Sequence, residues 1–476
     1  MKPITRKTAL VAVIAALAMS ACAPQAAPTP APAAPAEPAP TVAAAPAEPA
    51  PAEAAAPAEP SASEGVELTI YTSGGTKWLT FVAEEFMKQN PGIKVNVMTV
   101  AWDEFDTKMI AMNTAGTPPD LWTTWGPSGF KDYYARGLIA DLTPYIERDN
   151  YDLSDFFPQV VEYFTVDGKI YGMPHTLGAS YVFYNKDMFD AAGVPYPPTD
   201  WNDRSWTWDR MLEACSKIAY RDEKDPANST WCISRGLYPI NSYAWLWGKD
   251  IFPQSLYETG FGEEVNLSDP ELLDIFQKYQ DVTYKYHYDQ TGPEWEATGG
   301  DPFVMGKTSM QMWGVWGFGN TFEIKDYKWG IAAVPYGDPD ADRKVAVWAN
   351  PWMMSSQSRH PDEAWKLLAF LSSPAMHEDY QNRGGNPPAR KSLMPVFYAK
   401  IPHMTKEEID EVLNGALEHG RLAPSQRTVG WGEINDLLTK AFDAIESGTG
   451  TAADTLPGFE TEIAATLKDL RAQYQK

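Results

Sequence analysis

The side chains of this sequence best suited to specific chemistry are tryptophans in stretches rich in glycine, proline and asparagine. The 476 residues include 18 Trp, 23 Tyr and 19 Phe. A flat, rigid and apolar ring complements the C–H face of a sugar ring, while neighbouring polar groups bond hydroxyls. The pattern indicates a stacking surface for a polar ligand, and the alternative for each ring is a core position. The rings near predicted element ends are Trp78, Trp122, Trp125, Trp245, Trp247, Trp313, Trp316, Trp348, Trp352 and Trp431.

Residue patterns typical of hydrolytic enzymes are missing from the sequence. It contains no Gly-x-Ser-x-Gly elbow, no His-Glu-x-x-His motif and no Cys/His nucleophile arrangement, and only 6 His. Glycosidases need two carboxyl groups about 5 Å or about 6.5–9.5 Å apart across the scissile bond. Pairs such as Asp103 and Glu104 instead lie on a predicted helix. A binding protein is therefore the main hypothesis, and the alternatives are a secreted glycan hydrolase or a surface receptor without a role in transport.

Acidic clusters offer no metal site. The segment Asp338-Pro339-Asp340-Ala341-Asp342 lacks the glycine and the terminal glutamate of a calcium loop, so we expect a hairpin turn there. Asp120 is expected to act as a structural cap or turn residue. The sequence predicts neither a metal nor a cofactor.

The N-terminus has the pattern of a cleaved secretory signal. Residues 1–21 combine basic residues at Lys2, Arg6 and Lys7, an apolar run over 9–19 and small residues before Cys22. A cysteine at this point resembles the lipobox of bacterial lipoproteins, which implies acylation of Cys22. Residues 22–65 are almost entirely Ala, Pro and Glu, a composition that predicts a disordered, semi-rigid tether. The sequence therefore predicts an exported, membrane-anchored lipoprotein on the extracellular or periplasmic face.

The other two cysteines, Cys215 and Cys232, are a candidate disulfide, because exported chains meet an oxidising compartment. The alternative is two buried free thiols. About 410 residues follow the tether, too many for one core and suited to two lobes. The net charge of −24 excludes nucleic acid as a partner, since phosphate backbones require a basic face. No further apolar run is long enough to span a membrane, so the lipid anchor is the only predicted membrane contact, and a monomer is expected.

The elements that would position the aromatic rings alternate between strand and helix. Apolar periodicity predicts strands over 68–71, 93–97 and 121–124 and helices over 77–89 and 102–114. Strand, helix and strand in succession predict parallel pairing and an α/β fold. Ligands bind beyond the carboxyl ends of strands in open α/β sheets. Loop 73–77, with Ser73 and Lys77, and segment 125–128 are therefore candidate ligand contacts.

Ordered motifs over the chain after the tether resemble those of the family 1 extracellular solute-binding proteins, the relatives of maltose-binding protein. They are LTIY (68–71), PGIKV (91–95), TPPDL (117–121), RGLIADLTP (136–144), DGKIYGMP (167–174), FYNKDMF (183–189), GKTSMQMWGVW (306–316) and PDEAWKLLAFLS (361–372). The resemblance implies the two-lobed, type II fold of periplasmic binding proteins, each lobe a mostly parallel sheet flanked by helices. The implied N-terminal lobe is 66–172 plus 349–391, and the C-terminal lobe is 173–348 plus 392–476.

The same resemblance implies capture of a mono- or oligosaccharide for an ABC importer, with the lobes closing on the ligand and then meeting permease subunits. Aromatic contacts of the family match Trp125, Trp316, Trp431 and the pair Tyr243 and Trp245. Further candidate contacts are Trp348 at a crossing and Arg383 and Asn386 on a rigid loop; His175, in the first crossing, is either a donor or a hinge residue bonded to backbone. The polar contacts for maltose are replaced, for example by Gly178, which implies a different specificity.

Overall fold

The computed structural model describes residues 65–224 and 228–475. The predicted signal peptide, the predicted tether up to residue 64 and Cys22 lie outside these residues. Within the described ranges, no helix combines the length and the apolar character needed to cross a bilayer.

The described chain opens with the predicted strand, helix and strand. Val66–Thr72 pairs in parallel with Ile93–Thr99, and the helix Thr76–Gln89 between them packs its apolar face inward. Asn90 ends this helix by donating its amide to the carbonyl of Phe86 (2.8 Å). The next helix begins at Phe105 rather than at Trp102, because residues 102–104 form a turn ahead of it.

Within residues 65–224 and 228–475, twelve strands form three sheets. In chain order they are β1 Val66–Thr72, β2 Ile93–Thr99, β3 Leu121–Thr123, β4 Thr165–Val166, β5 Lys169–Ile170, β6 Met173–Ala179, β7 Tyr181–Asn185, β8 Trp231–Gly236, β9 Thr308–Trp313, β10 Trp329–Ala332, β11 Val345–Met354 and β12 Gly420–Leu422. The first sheet has the order β12-β11-β3-β1-β2, with β6 paired to β11. The second has the order β10-β7-β9-β8, and β4 pairs with β5.

The predicted α/β class is confirmed, but the strand directions are more mixed than expected. Strands β2, β1 and β3 are parallel, as helical crossovers require. Strand β11 runs antiparallel to both β3 and β6. In the described part of the second sheet, β8 and β9 are parallel, whereas β7 pairs antiparallel with both β9 and β10.

Helices flank the sheets. They are α1 Thr76–Gln89, α2 Phe105–Thr114, α3 Phe130–Ala135, α4 Thr143–Asp149, α5 Pro158–Tyr163, α6 Lys186–Ala192, α7 Trp208–Ile218, α8 Gln254–Thr259, α9 Pro270–Tyr284, α10 Gly292–Thr298, α11 Gly317–Thr321, α12 Pro361–Leu371, α13 Pro374–Asn382, α14 Met394–Tyr398, α15 Lys406–Glu418, α16 Pro424–Arg427, α17 Trp431–Glu446, α18 Ala452–Thr455 and α19 Glu460–Tyr474. Short 3-10 helices span Ile240–Trp247, Lys391–Leu393 and Leu456–Phe459.

Two separate apolar cores define two lobes. The core of the N-terminal lobe draws on residues 68–173 and 349–389, and the core of the C-terminal lobe draws on residues 179–348 and 397–470. The chain therefore passes between the lobes at three places. Strands β6 and β11 make the first two passages side by side, as an antiparallel pair with an irregularity between Asn350 and Pro351.

Local contacts explain several polar residues that the sequence singles out. Cys215 on α7 and Cys232 on β8 are joined in a disulfide, with their Cα atoms 5.0 Å apart. Asp120 accepts hydrogen bonds from the backbone N–H of Thr69 (2.8 Å) and from the hydroxyl of Ser358 (2.6 Å), so its role is structural, as predicted. Residues 338–342 form a turn, in which Asp338 accepts from the backbone N–H of Asp340 (2.9 Å). It is not the expected hairpin, because the strands on either side, β10 and β11, belong to different sheets. No cluster of potential metal ligands occurs in the described ranges.

Candidate ligand-binding site

A cavity of about 1060 Å³ lies between the two lobes. The N-terminal lobe lines it with Ser73, Gly74, Gly75, Thr76, Lys77, Trp78, Trp102, Thr124, Trp125, Gly126, Pro127, Asn350, Tyr380, Arg383, Gly384, Gly385 and Asn386. The C-terminal lobe supplies Gly236, Tyr238, Trp313, Val315, Trp316, Gly319, Trp348, Ser425 and Gln426. The loops after β1 and β3 open into this cavity because the carboxyl ends of parallel strands meet at one edge of a sheet.

The loop between β1 and α1 is held against Trp125. The hydroxyl of Ser73 donates to the carbonyl oxygen of Trp125. Gly75 has φ +63°, and a Cβ there would lie 2.7 Å from the Trp125 ring. Only glycine fits this left-handed turn against an aromatic face. The loop thereby presents the amino end of α1, with Lys77 in its first turn, to the cavity.

Aromatic rings form the floor on the N-terminal side. The ring of Trp125 lies 5.8 Å from that of Trp352 and 5.9 Å from His175. Trp78 and Tyr380 line the cavity beside them, with ring centroids 4.8 Å apart. Mutual packing fixes these rings, so the wall that they form is preorganised for stacking.

His175 lies under this floor rather than in the cavity lining. It stacks on Trp78 at 5.4 Å, and its Nδ1 is 3.3 Å from Nε2 of His377. Its ring therefore faces another side chain. It is neither the predicted donor to the ligand nor the predicted hinge residue bonded to the backbone. Burial lowers the pKa of His175 to about 3 and places the pKa of His377 well below its usual range, so both rings are neutral near pH 7.

A buried polar chain ties the cavity wall to the crossing strands. The hydroxyl of Thr124 donates to Oδ1 of Asn350 (2.8 Å). Nδ2 of Asn350 donates in turn to the hydroxyl of Thr176 on β6 (3.0 Å). Since Asn350 sits at the irregularity of β11, this chain fixes the wall at the point where the chain passes between lobes.

Four rings line up edge to face across the cleft. We call this set the aromatic series: Trp102, Tyr238, Trp316 and Trp348. Successive ring centroids are 5.7 Å, 6.4 Å and 4.8 Å apart, with interplanar angles of 72–85°. A Cβ on Gly314 would lie 2.2 Å from the Trp316 ring, so glycine is required for Trp316 to fold back into the cavity.

The loop after α13 closes the far side of the cavity. The guanidinium of Arg383 pairs with Asp379 and lies 4.4 Å from the centre of the Phe81 ring. The carbonyl of Asn386 accepts a hydrogen bond from the side chain of Gln381 (2.7 Å). These contacts hold Arg383 and Asn386 at the cavity rim.

Seven predicted contacts line the cavity, and three do not. Those in the lining are Ser73, Lys77, Trp125, Trp316, Trp348, Arg383 and Asn386. The predictions for Trp431, Tyr243 and Trp245 are wrong, because all three are 0–1% exposed within the C-terminal core.

Each of these three rings has a structural partner. Trp431 starts α17 and lies one layer behind the cavity, its ring 6.1 Å from Phe252. Tyr243 packs edge-on to Tyr279 at 4.6 Å. Trp245 donates its indole N–H to Asp250 (2.8 Å).

Five aromatic residues of the lining are not among the predicted contacts, namely Trp78, Trp102, Tyr238, Trp313 and Tyr380. Of these, the sequence singles out only Trp78 and Trp313, as rings near predicted element ends. Trp102 and Tyr238 stand in turns whose positions depend on the contact between lobes. Tyr238 precedes Pro239, and its hydroxyl donates to Oδ1 of Asn435 on α17 (2.9 Å). The only local signal for these rings is an aromatic residue in a turn, and many core residues share it.

Away from the cavity, the start of α17 rests on α3 of the N-terminal lobe. The backbone N–H of Gly430 donates to Asp132 (2.8 Å), and that of Gly432 donates to the hydroxyl of Ser128 (3.3 Å). Arg136 bridges Asp132 and Glu433, both at 2.9 Å. Carboxylates at a helix amino end offset its partial positive charge, so these contacts form a polar joint between the lobes.

Asp106 stabilises the N-terminal-lobe side of the same joint. It accepts hydrogen bonds from the hydroxyl of Tyr133 (2.6 Å) and the backbone N–H of Ser128 (2.8 Å). Burial raises its pKa to about 6 despite these bonds, because removal from water disfavours the charged form.

Residues 71–378 match the model of the bacterial extracellular solute-binding protein family. The chain belongs to this family. The resemblance predicted from the ordered motifs is thereby confirmed, and the protein is an ABC transporter solute-binding protein. It is a non-catalytic transport component of the extracellular or periplasmic side, which excludes the hydrolase alternative.

Relatives match over most of their length. A protein of Brucella abortus described as a binding protein is 26% identical over 423 residues, which cover 85% of this chain and 93% of the relative. An ABC substrate-binding protein of Listeria monocytogenes, solved in complex with cycloalternan, is 26% identical with a TM-score of 0.70 over 85% of this chain and 99% of its own. The maltose-bound MalE3 of T. maritima, 21% identical with a TM-score of 0.67 over 85% and 100% of the chains, shares the fold.

Proposed function

We propose that this solute-binding protein captures a mono- or oligosaccharide between its lobes and delivers it to the permease subunits of an ABC importer. The observation that carries the proposal is a cavity walled by aromatic faces from both lobes, with Trp125 on one side and Trp316 on the other. Rings of this kind stack on the C–H faces of sugars. The structural relatives solved with cycloalternan and maltose support the same ligand class.

The size and polarity of the cavity fit such a ligand. Its volume of about 1060 Å³ equals about 35 water volumes of about 30 Å³ each, more than one monosaccharide ring needs. Hydroxyl and amide groups of Ser73, Asn386, Ser425 and Gln426 stand among the rings. Stacking surfaces with interspersed hydrogen-bonding groups suit a chain of sugar units.

Contacts across the cleft mouth support the proposal that the lobes close on the ligand. Trp102 of the N-terminal lobe meets Tyr238 of the C-terminal lobe. Elsewhere at the mouth, a Cβ on Gly319 would lie 3.9 Å from the carbonyl oxygen of Gly384. The structure therefore has its lobes together, and a ligand must enter through an opened form. A ligand that contacts both lobes stabilises the closed form by its differential affinity.

Attachment to the membrane is part of the proposal and rests on the sequence. Cys22 follows a secretory signal, and acyl chains on its thiol and amino group would anchor the chain durably, since each buried CH₂ contributes about 0.8 kcal/mol. The serine variant Cys22→Ser should be exported but released from membranes. Its appearance in the membrane fraction at the parental level would contradict the anchor.

The binding proposal is tested by titrating the purified protein with a panel of mono- and oligosaccharides in a calorimeter, with product analysis by chromatography. We expect saturable binding of an unchanged sugar, together with a smaller radius of gyration on binding in solution scattering. Saturable binding only of solutes without a sugar or polyol component would refute the sugar proposal and leave the family assignment intact.

A further inference from the structure

The cavity lining contains no acidic residue among the described residues, although the whole chain is strongly acidic. Asp and Glu together number 63 against 39 Lys and Arg. Yet the charged side chains among the described residues of the lining are both cations, Lys77 and Arg383. The other ionisable groups there are the phenols of Tyr238 and Tyr380. A site that binds a neutral sugar gains from carboxylates, which accept hydrogen bonds from hydroxyls. Such acceptors are missing from this wall.

The two cations differ in how far they are already neutralised. Arg383 pairs with Asp379, which lies outside the lining. Lys77 has no ion-pair partner among the described residues and stands exposed in the first turn of α1. The positive charge left over at the cavity is therefore that of Lys77.

The amino end of α1 adds positive potential at the same place. This helix has 14 residues, its N-cap Gly75 supplies no side-chain hydrogen bond, and its first turn carries no acidic residue. The first N–H groups of a helix have no partner within the helix, and they favour negative charge. Gly75, Thr76 and Lys77 all line the cavity.

Among the described residues, the rest of the lining carries no charge that would offset that of Lys77. Six tryptophans line the cavity, and an indole N–H only donates. The amide oxygen of Asn350 is already occupied by Thr124. The side chains of Ser425, Gln426 and Asn386 can both donate and accept hydrogen bonds. The lining is thus compatible with an anionic group at Lys77.

We propose that the ligand is a sugar or polyol bearing an anionic group, a carboxylate or a phosphate, which faces Lys77 and the amino end of α1 while its ring faces the tryptophans. The inference rests on the proposed sugar-binding function and narrows its substrate class. The exposed Lys77 should also attract an anionic ligand before contact, because the field of a surface charge extends about 10 Å at about 0.1 M salt.

The test compares each neutral sugar with its charged counterparts, by calorimetry on the full chain at low salt. The probes are D-glucose, D-glucuronate and D-glucose 6-phosphate, the same three forms of galactose and mannose, and disaccharides with and without a uronate unit. We expect the tightest binder to be a charged member that binds at least about tenfold more tightly than its neutral counterpart, as a charge-assisted hydrogen bond predicts. Preference for the uronate or for the phosphate identifies the anion.

Variants then assign the preference to the residue. Lys77→Gln should reduce the affinity for the charged ligand by about tenfold or more and remove most of its salt dependence. The conservative Lys77→Arg should retain the affinity for the charged ligand and its salt dependence. Lys88→Gln, at the other end of α1 and paired with Glu85, is the matched control and should bind as the parent does.

The outcomes separate this inference from the proposed function. A neutral sugar that binds as tightly as its charged counterparts would overturn the proposal of an anionic ligand and leave the proposal of sugar binding in place. Inorganic phosphate binding as tightly as any sugar phosphate would show that the ring contributes nothing, which would overturn the proposed sugar function. A charged ligand whose affinity Lys77→Gln leaves unchanged would overturn the assignment to α1.

Discussion

Trp102 and Tyr238 meet across the mouth of the cleft, and removal of the Trp102 ring should weaken the closed form. Trp102 remains 42% exposed, so a little more than half of a surface of about 250 Å² is buried. That is about 145 Å², and about 25 cal/mol per Å² sets an upper limit of about 3.6 kcal/mol. Only the share that faces Tyr238 is lost on opening. An edge-to-face pair adds about 0.5–1.5 kcal/mol. We therefore expect Trp102→Ala to cost about 1–2 kcal/mol of closure.

The measurement is ligand binding by stopped-flow fluorescence with any sugar that the panel identifies. A loss of about 1–2 kcal/mol raises Kd by about five- to thirtyfold. The change should appear in the dissociation rate, because ligand enters the open form, in which Trp102 and Tyr238 are apart. Trp102→Phe keeps an aromatic edge and is the control, with most of the affinity retained.

A double-mutant cycle separates the contact between lobes from a direct contact of Trp102 with ligand. If the two rings act on each other, Trp102→Ala should cost little in a protein that already carries Tyr238→Ala, which gives a coupling of about 1 kcal/mol. Additive effects of the two substitutions on Kd, or a slower association rate with unchanged dissociation, would refute the role of this pair in closure.

Two further predictions concern the stacking wall and the joint between lobes. Trp316→Ala should weaken sugar binding by about 1–3 kcal/mol, the cost of a lost aromatic contact, whereas Trp295→Ala on the surface helix α10 should not; equal calorimetric affinities of the Trp316 variant and the parent would remove this ring from the site. The folded-state pKa of Asp106 is raised to about 6, so the folded protein binds the extra proton between about pH 4 and 6, and stability falls as pH rises through this window. Because the pKa rises by about two units on folding, the free energy of unfolding falls by about 3 kcal/mol across this window. Asp106→Asn has no such proton to lose, so its free energy of unfolding relative to the parent should rise by about that amount between pH 4 and 6.5, as measured by urea unfolding. The exposed Asp103→Asn is the control, and a pH-independent difference for Asp106→Asn would contradict the linkage.

The sequence predicts the framework of the site better than its details. Strand β1, helix α1 and strand β2 follow from local periodicity, since each has a buried face that its own residues define. The positions of Trp125 and Lys77 follow from them, because strand ends dictate where loops emerge. The strand directions of the second sheet do not follow from local periodicity, because the pairing of β7 with β9 joins segments more than 120 residues apart.

The aromatic contacts show where local signals end. Trp316 and Trp431 both stand next to glycine at the start of a helix, and the sequence predicts both as ligand contacts. Trp316 folds into the cavity because Gly314 leaves room for its ring. Trp431 is covered because its ring packs in the C-terminal core, beside Phe252. The difference depends on a contact with a residue distant in the chain, which no local pattern encodes.

Strand β11 belongs to both cores, and this has a consequence for folding. All ten of its residues are buried; those up to Trp348 pack in the C-terminal core and those from Ala349 in the N-terminal core. A single continuous strand thus spans the boundary, although its ladder with β6 is irregular between Asn350 and Pro351, and neither lobe can melt without stripping a strand from the other. The two lobes are separate bodies for ligand capture but one cooperative unit for unfolding, and no single cut of the chain yields an intact lobe.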